Sequence, residues 1–317
     1  MSDALLDKLR EIIQQDVGNR GLARDPVDNL FTACRDDLAD ACRSIAEAPH
    51  AALAVVTGFP IVTGDLPFYN ETDGPLGALF LARALIPLGI KVALICDPSC
   101  RRPLEIGFDA CELRGATDVA TLPARNHAWA AFLDRDWSPY RTKIPMTHLI
   151  ALERVGPGPD DRCRNMRGRD ITDETNPAHL LFEHAARRTP PLCTIGIGDG
   201  GNEIGMGKIP LDTICRNIPN GEIIACRVPT DRLIVAGVSN WGAYALAAGV
   251  AILRGRRLPS ALFDIERERE LLRVMVEEGP LVDGITTRPT VSVDGLSFED
   301  YIQPLRRMGE LLGSEDG

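Results

Sequence analysis

Apolar residues recur every three or four positions at the start of the chain, then gather into short unbroken runs. Leu5, Leu6, Leu9, Ile12 and Ile13 fall on one face of a helix, and Leu30 to Ala48 repeats that spacing after a break at Pro26. Ala51-Ala-Leu-Ala-Val-Val-Thr57 shows no alternation and reads as a buried strand opening into Gly58-Phe59-Pro60. Further strands are predicted at Lys91–Cys96, Met146–Leu152, Leu192–Ile197, Glu222–Arg227 and Arg232–Ala236, with a helix–strand unit between Ala110 and Ala120. Helices are predicted at Gly77–Leu85, Ala243–Leu253 and Asp264–Glu277. Continuous apolar strands alternating with helices argue for a mostly parallel sheet covered on both faces. The expected fold is therefore α/β: a three-layer, Rossmann-like arrangement of a mostly parallel sheet flanked by helices. Residues 1–50 form an N-terminal helical extension packed on a main domain of residues 51–317. The irregular stretch 155–170, rich in Gly, Pro and Arg, is the candidate lid, and the tail beyond Asp283 is left unassigned.

One of these strands runs into Gly196-Ile-Gly-Asp-Gly-Gly-Asn-Glu-Ile-Gly-Met-Gly207, six glycines in twelve residues. Glycine costs backbone entropy on folding and packs nothing, so a loop that brings its backbone close to a ligand explains it better than a core segment does. Asp199 and Glu203 inside the loop point to a cation or an amine, unlike the phosphate cradles that end in Lys and Ser/Thr. The alternative is a glycine-rich turn with no ligand.

Ligands of open α/β sheets bind beyond the carboxyl ends of the strands. Polar groups recur there: Asp97, Glu153, Asp199 with Glu203, and Ser239-Asn240, while Glu71 and Asp73 precede the helix that contains Gly77. Each has a plainer reading. Thr72 or Asp73 could cap that helix with Pro75 in its first turn, Asp97-Pro98-Ser99 could be a turn, and Glu153-Arg154 a surface pair. Those readings leave unexplained why so many carboxylates share one edge. Clustered carboxylates repel unless a cation neutralises them, and an oxygen-rich site suits Mg²⁺ or Mn²⁺. The five histidines show no zinc-ligand spacing with the cysteines. Arg164, Arg167 and Arg169 on the candidate lid, and Lys208 after the glycine run, would suit an anion. No dinucleotide fingerprint, P-loop or nucleophile-elbow motif is present.

Composition narrows the partners. A net charge of −10 without a basic tract disfavours nucleic acid, and the apolar runs are too short to span a membrane. Nine scattered cysteines with no C-x-x-C pair, and no basic-then-apolar start, fit a reducing, cytoplasmic location. The expected partner is a small anionic substrate, and a homodimer is the default assembly.

Thr57-Gly-Phe59, Glu71-Thr-Asp-Gly-Pro-x-Gly77, Asn165-Met-Arg-Gly-x-Asp170, Gly196–Gly207 and Gly237-Val-Ser-Asn-Trp-Gly242, with Tyr244 after it, resemble the C-terminal domain family of D-glutamate cyclase. The resemblance covers roughly residues 50–260 and implies a stand-alone version of that domain. It implies conversion of D-glutamate to 5-oxo-D-proline with loss of water. On that reading a cation held by some of Glu71, Asp73, Asp97, Asp199 and Glu203 polarises the reacting carboxyl. Glu153 or Glu203 carries the proton, with Asp199 beside them, and Arg167 holds the α-carboxylate. Gly198, Gly200, Gly201, Asn202, Ser239 and Asn240 line the ligand, and the N–H groups of Gly200 and Gly201 donate to the oxyanion. Two other classes fit the same residues: a metal-dependent phosphohydrolase and a non-catalytic ligand-binding domain. Trp241 and Tyr244 are expected in the pocket or in the core.

Overall fold

The computed structural model describes residues 2–64, 69–117, 119–133 and 145–313. Its first nine strands, in chain order, are β1 (Ala52–Thr57), β2 (Pro60–Ile61), β3 (Tyr69–Glu71), β4 (Lys91–Cys96), β5 (Val119–Thr121), β6 (His148–Leu152), β7 (Cys193–Gly198), β8 (Arg232–Val235) and β9 (Leu281–Val282). Six form a parallel sheet in the order β5-β4-β1-β6-β7-β8, and β2, β3 and β9 make a small mixed sheet beside it.

The unbroken apolar runs have a simple cause. Along β1, Leu53 and Val55 join the core on one face of the sheet, while Ala54 and Val56 join the core on the other. Along β6, Ile150 and Leu152 oppose Leu149 and Ala151 in the same way. A strand buried on both faces needs apolar residues at every position.

The helix Ser239–Leu253 is buried from Ser239 through Ala251, so it has no solvent face to offer. It packs between Pro75–Leu85, Asp37–Glu47 and Ser2–Ile13, which is why the N-terminal helices share the main core. Its small residues permit the approach: a side chain at Gly249 would meet the Cys42 Sγ, and one at Gly242 would meet Ile197.

Beyond Ile13 the chain does not leave the surface. The N–H of Gly237 donates to Ile13 O at 2.8 Å, and a side chain at Gly237 would collide with the Gln15 carbonyl. The following strap is fixed by Asp16, which accepts from the N–H groups of Arg20 and Gly21 at 2.9 Å each, and by Asn217, which accepts from Asp25 N–H at 2.7 Å.

Three predicted segments differ. The helix expected between Ala110 and Ala120 lies before that stretch, at Pro98–Ala110, with β5 after it. Residues 222–227 do not form a strand. Gly221–Ile224 is a short helix, and the segment after it serves the glycine loop, with Cys226 N–H donating to Gly201 O and Arg227 N–H to Pro157 O. The stretch 155–170 is folded on itself by backbone bridges between Pro157 and Cys163 and between Arg164 and Asp170, and it is tied to the body by Gly156 N–H donating to Asn202 O and Arg227 N–H donating to Pro157 O. The unassigned tail supplies β9, a hairpin of Ser292–Val293 with Leu296–Ser297, and the helix Gln303–Gly313. Asp294 and Gly295 both take positive φ (55° and 75°), the conformation a tight hairpin turn demands. All nine cysteines are free, and among the described residues no helix is long and apolar enough to cross a membrane.

Candidate active site at the switch point of the sheet

From β1 the chain runs outward to β4 and β5, then returns across β1 to continue through β6, β7 and β8. The order therefore reverses between β1 and β6, and a crevice opens beyond the carboxyl ends of these two strands. A pocket of about 90 Å³ lies there. Its floor is Arg20, Glu71, Glu153, Asp199, Glu203 and Asp294, and its apolar wall includes Phe59, Ile61, Val62 and Ile285.

Two helix N-termini meet below the floor, and each is capped by the other's segment. The carboxylate of Asp73 accepts from the N–H groups of Ser239 and Asn240, both at 2.8 Å, at the start of Ser239–Leu253. In return Asn240 Oδ1 accepts from the N–H groups of Gly74 (2.9 Å) and Gly77 (2.7 Å), at the start of Pro75–Leu85. A negative group at a helix N-terminus satisfies orphan donors and meets the positive end of the dipole. Asp73 Oδ1 also accepts from Gly74 N–H at 3.0 Å, and Pro75 occupies the first turn of the same helix. Gly77 must be glycine here, because a side chain would meet Asn240 Oδ1 at 2.8 Å.

Glu153 stands at the end of β6 in a left-handed conformation, φ 44°, which costs a non-glycine residue on the order of 1–3 kcal/mol. That turn points its side chain into the crevice lining, where Oε2 accepts from the Ser239 hydroxyl at 2.6 Å. Gly74 gives it room, since a side chain there would meet Glu153 Cβ at 2.9 Å. Burial first, then the neighbouring Asp199, Glu203, Glu71 and Asp73, push the Glu153 carboxyl well above the usual range.

Glu203 is used differently. Its Oε1 accepts from the N–H groups of Asp199 (2.9 Å) and Gly200 (2.7 Å), and its Oε2 from Gly201 N–H (2.8 Å). The glycine loop therefore closes around its own carboxylate. The expectation that Gly200 and Gly201 keep free donors for an oxyanion does not hold, because Glu203 has taken both. Gly198 is required for the same packing: a side chain there would meet Glu203 Cδ at 2.9 Å.

The strap after the first helix delivers Arg20. Its guanidinium pairs with Asp199 and, at 3.1 Å, with Asp294 from the C-terminal hairpin. Sequence reasoning missed both residues. Asp294 was foreshadowed by Asp-Gly within an alternating stretch, a hairpin signal; Arg20 sits in a strap with no periodic pattern and carried none. Asp283 holds the hairpin in place, accepting from Ile285 and Thr286 N–H, Gly295 N–H and the Ser292 hydroxyl.

The predicted site residues thus separate. Glu71, Glu153, Arg167, Asp199, Asn202 and Glu203 line the pocket, while Asp73, Gly198, Ser239 and Asn240 support it. Arg167 is exposed at the rim, donating to Ile285 O at 3.2 Å, and Asn202 donates to Arg164 O at 2.7 Å. Asp97 leaves the candidate ligand set: both of its oxygens are bound by Arg154, at 2.8 and 3.0 Å. Glu153-Arg154 is no surface pair either, since Arg154 is fully buried. Lys208 pairs with Asp37 far from the pocket, Arg164 pairs with Asp160, and Trp241 and Tyr244 are core residues.

The cluster makes stability depend on pH. Burial, offset in part by Arg20, raises Asp199 to about 6 and Asp294 to about 7. Glu71 and Asp73 are pushed up by burial and then by Asp294. An acid with a raised folded pKa holds more protons when folded, so the stability it confers is full below its unfolded pKa of about 4 and lost as pH rises. The metal-free protein should therefore show a melting temperature that falls between pH 4 and 7. Asp294→Asn should flatten that slope; an unchanged slope in scanning calorimetry would remove Asp294 from the titration.

Two oxygen-donor groups arise in the floor and directly beneath it. Asp73, Asp199 and Asp294 bring carboxylate oxygens within 4.8 Å of one another, as do Glu153, Asp199 and Glu203. Among the described residues the buried Asp294 Oδ2 has no N–H donor, its carboxyl neighbour being Asp199. An all-carboxylate donor set of this kind fits a hard divalent cation.

Residues 9–309 match the family described as "D-glutamate cyclase-like, C-terminal". The chain is 32% identical over 318 aligned positions to the Homo sapiens protein "D-glutamate cyclase, mitochondrial", an alignment covering 92% of this chain and 49% of that protein. The chain spans about half the length of this curated relative.

Proposed function

The chain belongs to the D-glutamate cyclase-like C-terminal family, and from that membership we propose that it cyclises D-glutamate to 5-oxo-D-proline with loss of water. The observation that supports this most is Glu153, a buried carboxyl of raised pKa held on the pocket floor by Ser239.

The reaction joins the amine nitrogen to the side-chain carboxyl carbon and breaks one carbon–oxygen bond. The ammonium group gives up two protons, and both leave with the departing oxygen as water. One group able to take a proton from nitrogen and return it to oxygen therefore serves the whole sequence. Glu153 is suited to it, because a carboxyl with a raised pKa keeps the proton between the two steps. Ser239 fixes which oxygen of Glu153 faces inward. Arg167 at the rim would bind the substrate α-carboxylate, and the acidic floor would receive the ammonium group. A Mg²⁺ or Mn²⁺ held by Asp199 and Glu203 would polarise the reacting carboxyl and offset the charge of the floor. A phosphohydrolase is less well supported, since the glycine-loop amides it would need for phosphate oxygens are engaged by Glu203.

Purified protein, stripped with chelator and refilled with Mg²⁺ or Mn²⁺, should form 5-oxo-D-proline from D-glutamate but not the L-product from L-glutamate, as read by chiral chromatography. Asp199→Asn should abolish it. A folded, metal-loaded sample with no turnover would leave a ligand-binding role and overturn the cyclase reading of this chain.

A further inference from the structure

Arg20 lies against two members of the Asp73–Asp199–Asp294 group, whose oxygens otherwise have the spacing of a cation site. Asp199 also belongs to the Glu153–Asp199–Glu203 group, so two groups with the spacing of a cation site share one carboxylate. The guanidinium pairs with two of the three carboxylates of the first group. It is delivered by a strap anchored by the Gly237–Ile13 and Asp16 contacts. The Arg20 pair is made through Asp294 Oδ1, and among the described residues the buried Oδ2 finds no N–H donor, its carboxyl neighbour being Asp199, so arginine leaves that oxygen unused.

We propose that Arg20 is a built-in counter-cation that takes the place of one divalent ion, so the protein carries one ion fewer than its carboxylates could hold. In its location the inference deepens the cation-assisted cyclase reading, which places a single Mg²⁺ or Mn²⁺ at the glycine-loop group. Its chemical basis is charge and shape. Guanidinium is planar, always protonated and able to bridge two carboxylates, but it offers no open coordination position. It neutralises Asp199 and Asp294 but cannot polarise a substrate oxygen by coordination as a metal ion does. The position it fills is structural, and the neighbouring one is left to the ion that meets the substrate.

The test counts ions. Chelator-stripped wild-type protein, Arg20→Met and Arg20→Lys are titrated with Mn²⁺ alone, following free Mn²⁺ by electron paramagnetic resonance, with circular dichroism as the check on folding. Arg20→Met should bind one Mn²⁺ more than wild type, and Arg20→Lys, which keeps the charge, the same number as wild type. In Arg20→Ala, millimolar guanidinium should displace one Mn²⁺. Should Arg20→Met fold only when Mn²⁺ is added, the ion has replaced the side chain and the inference stands. An unchanged count in Arg20→Met, or no displacement by guanidinium in Arg20→Ala, overturns it. The two readings separate cleanly. Zero Mn²⁺ in wild type with one in Arg20→Met keeps the role of Arg20 and removes the cation from the reaction. One Mn²⁺ in both keeps the cation and removes the role of Arg20.

Discussion

Glu153→Gln is expected to lower turnover about 10³-fold, within the range for loss of a general acid–base group, while leaving the fold intact. Glutamine has the same shape, and its amide oxygen can still accept from the Ser239 hydroxyl, so the left-handed turn at the end of β6 keeps its anchor. What disappears is the capacity to take and return a proton. A buried carboxyl with a raised pKa is replaced by a neutral group, so the melting temperature should hold or rise above pH 6. Glu203→Gln provides the contrast. Both oxygens of Glu203 accept main-chain N–H groups, and an amide NH₂ would face one of those donors. That variant should lose stability. Steady-state kinetics paired with thermal melts separates the cases: a Glu153→Gln enzyme within tenfold of wild-type kcat would show that Glu153 does not carry the proton.

The parts of this site that the sequence made legible are those with a local signal. Unbroken apolar runs gave the parallel sheet, because a strand buried on both faces has no freedom to alternate. The strand-end rule then located Glu153 and Asp199, and glycine density marked the loop. Local signals say nothing about which partner a buried polar group finds. Asp97 and Asp73 look alike as strand-end and loop acids, yet one is bound to Arg154 and the other to two helix N-terminal amides. Glycine density was read as an open cradle, whereas the loop folds onto its own Glu203. Arg20 and Asp294 are 274 positions apart and meet only because the helix Ser239–Leu253 is apolar all round and must be covered by the N-terminal helices. That demand is visible in the sequence of the helix, but the identity of what covers it is a long-range property.

Arg154→Met is expected to destabilise the protein by roughly 3–5 kcal/mol, the cost of leaving one member of a buried ion pair uncompensated. Arg154 is fully buried and Asp97 is only 4% exposed. Beyond the bidentate pair, the guanidinium donates to Gly58 O at 2.8 Å and to Asn176 O at 2.7 Å. Methionine fills much of the volume but supplies none of these four bonds, so a carboxylate and two carbonyls lose their donor together. Gly58 directly follows β1 and precedes Phe59 of the pocket wall, so part of the loss should also appear as a raised KM. Urea unfolding read by fluorescence gives the magnitude; a change below 1 kcal/mol would mean that water or a rotated neighbour takes over the guanidinium's bonds. The double variant Arg154→Met/Asp97→Asn decides between charge and carbonyl satisfaction as the main term. With no charge left buried it should lose less than the sum of the two single variants, because the singles each count the same broken pair. Simple additivity would instead place the energy in the Gly58 and Asn176 carbonyls, making Arg154 chiefly a backbone clamp on the segments that follow β1 and β6 beside the pocket.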